Sequence, residues 1–303
     1  MRALLALLVG IILLSCAPAR KEPPYDAKAH PAQVDAWHQH RLEELKADDG
    51  WLNLVGLFWL KDGINTFGSG PKNDLVFPYA NMPAQAGYLL LKSNTVELVT
   101  LQGVKVKVDT VETKKAIIFH PDSSRNPRVA YQSLRWNIIK RSDKLGVRLR
   151  DLESPAVRDF RGIERFPVTA TYKLPGRFIP GAPDLKIPIT NVLGQVTPTS
   201  SPGKVEFTWE GKSYVLDALD GGPEELYLIF GDDTNTKETY GAGRFLYIPR
   251  ADSAGNVVID FNKSYNPPCA FTEFATCPLP PRQNVLPIAI RAGEKNYGAA
   301  HGE

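Results

Sequence analysis

The chain has 303 residues, of which 43% are hydrophobic and 10% aromatic, enough apolar material for one large or two small cores. Its 36 basic and 33 acidic residues leave a net charge of +3, without the concentrated basic face that nucleic-acid binding requires, so no nucleic-acid partner is expected. The 24 glycines and 25 prolines are typical of a protein built from strands and turns.

The first sixteen residues predict a sorting signal. Arg2 precedes an apolar run over residues 3–14, which is followed by Ser15 and Cys16. The run is too short for a permanent membrane-spanning helix and suits a secretion signal. It resembles the signal of bacterial lipoproteins, which is cut before a cysteine that then carries lipid. That resemblance implies removal of residues 1–15 and lipidation of Cys16; an ordinary signal peptide with a chance cysteine is the alternative.

A lipid on Cys16 would anchor the protein in the bacterial cell envelope, facing the periplasm or the exterior. Several buried acyl chains are sufficient for such an anchor. Residues 16–30 are polar and contain prolines, which predicts a flexible tether between the lipid and the folded part. The expected partners are therefore the membrane and a small ligand or envelope protein that the sequence does not name.

A single helix is predicted near residues 32–47. Pro31 suits its first turn and Asp48–Gly50 suits its end. One face carries four apolar residues at helical spacing: Val34, Trp37, Leu42 and Leu45. His38 and His40 are two positions apart, so they point in different directions and cannot chelate one metal well. Both histidines are expected at the surface.

Strand patterns dominate after Trp51. Short apolar runs alternate with turns, and Val104, Val106 and Val108 alternate with lysines as in a half-buried strand. The predicted fold is mainly β, with the N-terminal helix followed by antiparallel sandwich- or barrel-like sheets. Two β subdomains are expected. Residues 31–142 would hold the helix and a small sandwich-like part, and residues 143–298 a second β-rich part before a tail at 299–303.

An arginine-rich stretch opens the second part. Val147 and Leu149 alternate with Arg148 and Arg150, so the two arginines share one strand face. The stretch continues to Arg165 with acidic residues interleaved, which fits either an anion site or a salt-bridged surface. Candidate ligand-binding residues are Arg161 in this stretch and Asn262 and Asn266 farther along.

Polar residues gather at strand ends in the C-terminal third, where sites are often built. They include Asp232, Asp233, Glu238, Tyr240, Arg244 and Asp260. A hydrolase using carboxylates is one interpretation, with catalytic candidates Asp233, Asp260, Arg244, Tyr240 and Glu164. Solvated turns at strand ends are the other.

Other enzyme classes lack complete motifs. His120, Asp122 and Ser124 are close in sequence, but no Gly-x-Ser-x-Gly elbow occurs and the run is typical of a turn. Gly241–Gly243 is followed by a strand pattern and lacks the Lys-Ser/Thr end of a phosphate loop. No metal site and no cofactor are predicted.

Cys269 and Cys277 lie in a proline-rich segment with seven residues between them. This spacing fits neither zinc nor a thioredoxin-like pair. In an oxidising compartment two cysteines usually pair, so a disulfide is predicted. Packed free thiols, or a catalytic or metal-binding role, remain as alternatives.

Three stretches resemble the bacterial family called domain of unknown function 1684 (DUF1684). They are "DGWLNLVGLFWLKDGINTFGS", "DDTNTKETYGAGRFLYIP" and the run from "VVIDFNKSYNPP" to "RAGEKNYG". The resemblance spans about residues 34–297 and implies a domain extent but no activity. The leading hypothesis is a membrane-anchored binding or accessory protein, and the hydrolase is the alternative.

Overall fold

The computed structural model describes Asp26 and residues 28–78 and 82–298. The predicted signal, the lipidation site Cys16, most of the tether and the tail at 299–303 lie outside these residues. Within the described part, no helix combines the length and hydropathy needed to cross a bilayer.

Helix α1 spans Ala29–Lys46 and confirms the predicted N-terminal helix. It begins within the predicted tether, and Pro31 lies in its first turn. Its buried stripe is His30, Val34, His38 and Leu45, which follows the helical period. His38 was expected at the surface but only 6% of it is exposed, because this stripe packs against the C-terminal part of the chain.

The N-terminal part is a sandwich of two sheets, as predicted. Its strands are β1 (Leu54–Trp59), β2 (Gly63–Gly68), β3 (Leu75–Val76), β4 (Gly87–Lys92), β5 (Thr95–Thr100), β6 (Val106–Val108), β7 (Val111–Thr113), β8 (Lys115–Phe119), β9 (Val129–Tyr131), β10 (Leu134–Arg141) and β11 (Lys144–Asp151). One sheet has the order β1-β11-β10-β9-β6-β7 and the other β3-β2-β4-β5-β8. Their facing sides bury one core, in which the rings of Phe67, Phe77 and Trp136 pack with centroids 5.5–6.0 Å apart.

The predicted boundary between residues 142 and 143 needs correction. It falls in the turn between β10 and β11, which pair from Leu134–Asp151 to Arg141–Lys144. β11 also pairs with β1 on its other side. The sandwich therefore continues to Asp151, because the strand that completes it lies beyond the predicted boundary.

The C-terminal part is a nearly closed, barrel-like sheet. After the short helix α2 (Pro155–Arg158), its elements are β12 (Lys173–Pro180), β13 (Lys186–Thr190), β14 (Val196–Ser200), β15 (Gly203–Trp209), β16 (Lys212–Asp220), β17 (Glu225–Phe230), β18 (Arg244–Pro249) and β19 (Asn256–Asp260). The six-stranded order is β18-β17-β16-β15-β12-β19, and β13 and β14 form a separate hairpin. The mainly β prediction is confirmed.

Helix α1 is fixed to the barrel side of the molecule although it precedes the sandwich in sequence. The His30 ring lies 2.6 Å from the Asp260 carboxylate at the end of β19. Arg41 donates from Nε to Oε1 of the buried Glu294 at 2.7 Å. These two contacts place α1 across the outside of the barrel, beside the junction with the sandwich.

Candidate ligand-binding cavity

A cavity of about 600 Å³ lies where the sandwich meets the barrel. We call it the junction cavity. Strands β10 and β11 border it from the sandwich, β17 and β18 from the barrel, and α1 and the segment 265–278 close its sides. Its aromatic lining is Trp37, Trp51, Tyr227, Phe245, Tyr247 and Tyr265, and its arginines are Arg41, Arg141 and Arg148. Ligand sites favour such interfaces between structural units.

Strand alternation explains the aromatic wall. On β17, Leu226, Leu228 and Phe230 point into the barrel core, so Tyr227 points outward. Tyr247 lies opposite it on β18, and their rings stack with centroids 4.7 Å apart. Tyr265 continues the row, 6.4 Å from Tyr247 and nearly parallel to it. The outside of the barrel therefore presents three tyrosines side by side.

The phenol groups of this row have unused hydrogen-bonding capacity. Within the described residues, the hydroxyls of Tyr227, Tyr247 and Tyr265 make no hydrogen bond to another protein group. Burial raises the pKa of each of the three above its ordinary value, so they stay neutral and can donate. A ligand rich in acceptors would use them.

Arg148 is the unusual cation of the cavity. Its guanidinium lies 5.2 Å from the centre of the Trp51 ring, and its Nε is buried without a hydrogen-bond partner. No carboxylate of the described chain lies within 4.0 Å of it. Burial, followed by the like charges of Arg150 and Arg141, lowers the pKa of Arg148 to about 10, so it stays cationic at neutral pH. A buried cation without a counter-ion is costly unless something else pairs with it.

Arg141 adds a second cation at the end of β10. Its Nε donates to the Thr276 hydroxyl at 3.1 Å and its Nη1 to the Lys140 carbonyl at 3.0 Å. Like Arg148, it has no carboxylate within 4.0 Å among the residues that the structure describes. The sandwich wall of the junction cavity therefore carries two positive charges that the protein itself does not neutralise.

Arg41 has a different role. Besides Glu294, it donates to the Asn266 carbonyl at 2.9 Å, and its guanidinium carbon lies 4.3 Å from the centre of the Tyr265 ring. Burial raises the pKa of Glu294, and the charge of Arg41 opposes that shift. Arg41 is thus held as part of the scaffold, and it fixes Tyr265 in the wall of the cavity.

Cys269 and Cys277 are adjacent, and Cys277 lines the junction cavity. The amide of Cys269 donates to Sγ of Cys277 at 3.0 Å, and the amide of Cys277 to Sγ of Cys269 at 3.3 Å. Both are free thiols in the structure. The hydrogen bond between the thiols lowers the pKa of Cys269 to about 7 and raises that of Cys277. The disulfide stays a prediction.

The residues proposed for a hydrolase do not meet at one site. Arg244 and Asp232 form a fully buried ion pair at 2.6 Å, and Arg244 also donates to the carbonyls of Ala292 and Ile290. Asp233, next in sequence, is exposed. Arg244 therefore joins β18 to Asp232 and to the segment 290–292, whereas Asp233 faces solvent.

The remaining candidates are also dispersed. Asp260 accepts from the side chain of Asn262 at 2.8 Å and contacts His30, and Asn262 donates to the Thr169 carbonyl at 3.0 Å. The buried Asn266 donates through its amide side chain to the Lys295 carbonyl at 2.8 Å. These are contacts that hold segments together.

The other predicted groups lie elsewhere. Tyr240 is half-buried outside the junction cavity, and Arg161 and Glu164 line a separate cavity. His120 lies 3.9 Å from Asp122 on the surface, and Ser124 is exposed. In the described ranges, no three His, Cys, Asp or Glu side chains are placed to hold a metal ion.

Sequence reasoning missed most of the lining of the junction cavity. The shared face of Arg148 and Arg150 was predicted from alternation, and only Arg148 lines the cavity. The signal for the tyrosine wall was present in "ELYLIF" and "RFLYIP", where aromatic residues alternate with aliphatic ones.

Comparison with known proteins finds a match of one part of the chain to a family model and no activity. The family DUF1684, described as a protein of unknown function, matches residues 158–295. A search of curated proteins finds no match. Among solved structures, an uncharacterised protein of Haloarcula marismortui, determined by solution NMR, is 25% identical; the match covers 47% of this chain and 80% of that chain, with a TM-score of 0.39. The predicted resemblance is thus confirmed over the barrel and its surrounding segments: residues 158–295 of this chain match the family DUF1684.

Proposed function

We propose that the protein binds a small organic anion in the junction cavity. The observation that carries this proposal is Arg148, a partly buried guanidinium whose Nε has no hydrogen-bond partner. Among the described residues, no carboxylate lies within 4.0 Å of it. Unpaired buried polar groups lower stability, so such a residue is expected where a ligand supplies the missing partner.

The side chains that line the junction cavity limit the class of ligand that it can bind. The planar fork of an arginine matches a carboxylate or another oxyanion with two parallel hydrogen bonds. The free phenol groups of the tyrosine row are further donors. Aromatic rings from Trp37, Trp51 and Phe245 suit a flat or apolar body attached to the anionic group. A carboxylate on a ring of modest size is the simplest ligand with these properties.

Binding rather than hydrolysis is proposed because the acid–base groups suggested for hydrolysis do not converge on one site. Arg244 is held in a buried ion pair, Asp260 contacts Asn262, and Asp233 is exposed to solvent. The acidic residue among those lining the junction cavity is Glu44, which is exposed and lies 3.2 Å from His40. The lining of the junction cavity thus offers hydrogen-bond donors and positive charge to an anion.

For the location, we propose the lipid anchor at Cys16, supported by Arg2, the apolar run and the Ser15-Cys16 pair. The protein would then bind its ligand at the surface of a bacterial envelope membrane. Labelled fatty acid should be incorporated into the wild-type protein and not into Cys16→Ala. Incorporation into both would contradict the anchor and leave the binding proposal intact.

The binding proposal is tested with benzoate as the anionic probe and benzamide as its neutral counterpart. Isothermal titration should show that the wild type prefers benzoate. Arg148→Gln should weaken benzoate binding by about tenfold or more, because a charged hydrogen-bonding partner is lost. Arg150→Gln is the matched control, since Arg150 lies on the same strand face but bonds to the carbonyls of Asp49 and Gly50.

Benzoate should bind Arg150→Gln as tightly as it binds the wild type. Equal binding of benzoate and benzamide, equal losses in the two arginine variants, or no benzoate binding at millimolar concentration would each contradict the proposal.

A further inference from the structure

A second cavity, of about 910 Å³, lies on another side of α1. We call it the basic cavity. His38, Gln39 and Leu42 of α1 line it, whereas Trp37, His40, Arg41 and Glu44 of the same helix line the junction cavity. The rest of its wall comes from residues 161–167, 237–238 and 295–298.

Positive charge exceeds negative charge around this cavity. Its lining contains four cations, Arg161, Arg165, Lys237 and Lys295, and two carboxylates, Glu164 and Glu238. Both carboxylates are engaged: Glu164 lies 3.5 Å from Lys295, and Glu238 lies 2.9 Å from Arg291, which is outside the lining. Among the described residues, no carboxylate lies within 4.0 Å of Arg161 or Lys237. The two are available to an incoming anion.

Two buried nitrogen atoms of the lining also have no partner. Arg165 uses Nη2 to contact Asp35, but its Nη1 is buried without a hydrogen bond. His38 is 6% exposed, and its Nε2 is likewise unpaired, with Glu294 Oε1 3.9 Å away. An unpaired buried donor such as Arg165 Nη1 has a free-energy cost that a bound acceptor would remove, and His38 Nε2 would donate as well in the tautomer that carries its hydrogen there.

We infer that the basic cavity is a second anion site, which takes a phosphate- or sulfate-type oxyanion held by Arg161, Arg165 and Lys237. Several cations around the basic cavity suit a compact group with more than one negative charge. The junction cavity differs, because its aromatic rings and its two arginines without a carboxylate partner suit a ring carboxylate. The inference rests on residues that the junction cavity does not use, so it stands independently of the proposed function.

Inorganic pyrophosphate is the probe. Isothermal titration of the wild-type protein should show binding that weakens with rising salt, since the contacts are charge-assisted. The double variant Arg161→Gln/Lys237→Gln should bind about tenfold or more weakly, and Arg165→Gln should show a loss of similar size. Arg158→Gln is the matched control, because Arg158 is an arginine close in sequence that contacts Asp159 and does not line the cavity.

His38 provides a readout at the site itself. Its imidazole feels the charges of Arg165, Arg41 and Asp35, and Glu294 Oε1 lies 3.9 Å from its Nε2. Burial together with the two arginines lowers the pKa of His38 to about 4. A bound anion would offset the arginine charges, so the pKa of His38 measured by NMR should rise when pyrophosphate is added.

The inference is overturned if pyrophosphate does not bind at millimolar concentration, or if the double variant binds it as the wild type does. An unchanged His38 pKa under saturating pyrophosphate would also overturn it. Because Arg161 and Lys237 are exposed, the double variant is expected to fold normally, so its result stands even if Arg165→Gln is unstable.

Discussion

The guanidinium of Arg148 lies 5.2 Å from the centre of the Trp51 ring, with no carboxylate of the described chain within 4.0 Å. Arg244 shows the opposite arrangement, since it is completely buried and its charge meets Asp232 at 2.6 Å. Arg148, which is partly buried, and Arg244, which is fully buried, thus differ in whether the fold supplies their counter-ion. That difference separates a residue available for ligand binding from a residue that stabilises the fold.

Replacing each arginine by methionine should show this difference in stability. Arg148→Met should leave the free energy of unfolding unchanged or raise it by about 1 kcal/mol, because a desolvated, unpaired cation is removed. Arg244→Met should lower it by about 3–5 kcal/mol, because the Asp232 carboxylate would stay buried without a partner. Urea unfolding of both variants measures the two values. A similar large loss in Arg148→Met would mean that this arginine holds the fold.

Two neighbouring aspartates should differ in the same way. Asp232→Ala should lower the free energy of unfolding by about 3–5 kcal/mol, since it strands Arg244 inside the barrel. Asp233→Ala should change it by no more than about 0.5 kcal/mol, because Asp233 is exposed. Thermal or urea unfolding of the pair tests this expectation, and equal effects would argue against it.

His38 should make stability depend on pH. Burial, Arg165 and Arg41 lower its pKa from 6.5 to about 4 in the folded protein. As pH falls below about 6.5, the unfolded chain takes up the proton first, so the free energy of unfolding should decrease until about pH 4. Above about pH 6.5, His38 is neutral in both the folded and the unfolded protein, so it does not lower the free energy of unfolding there.

The matched variants are His38→Gln and His40→Gln on the same helix. The free energy of unfolding is measured for each variant between pH 7 and pH 4. Its decrease with falling pH should be smaller than in the wild type for His38→Gln only. His40 lies on the same helix, where it is exposed to solvent beside Glu44. An unchanged slope in His38→Gln would show that other groups cause the pH dependence.

The cysteine pair should form a disulfide when the protein matures in an oxidising compartment. The reciprocal amide-to-sulfur bonds place the two residues side by side, and the closed loop is short, so the gain would be about 2–3 kcal/mol if the bridge is unstrained. Thiol titration of unfolded, unreduced mature protein should find no free thiol. Cys277→Ser should expose one, and two free thiols in the wild type would refute the bridge.

Local patterns were enough to predict the elements of this fold. The helical spacing of Val34 and Leu45 predicted α1, and the alternation around Arg148 predicted a strand with its arginines on one face. These predictions depend on side chains within a few residues of one another, so the sequence contains all that they need.

The cavities depend on contacts between distant segments, which periodicity does not reveal. Trp37 and Trp51 meet Arg148 and Tyr227 only because α1 packs on the barrel and β11 completes the sandwich. The same limit explains the error at Arg244. A charged residue at a strand end suggests a site, and only the burial of its ion pair shows that it is structural.

A crystal structure of the protein with benzoate is the most direct test of anion binding in the junction cavity. We expect the carboxylate at about 3 Å from the Arg148 guanidinium, with the ring against the aromatic wall. An empty junction cavity at a saturating benzoate concentration, or benzoate bound there with its carboxylate turned away from Arg148, would contradict the account.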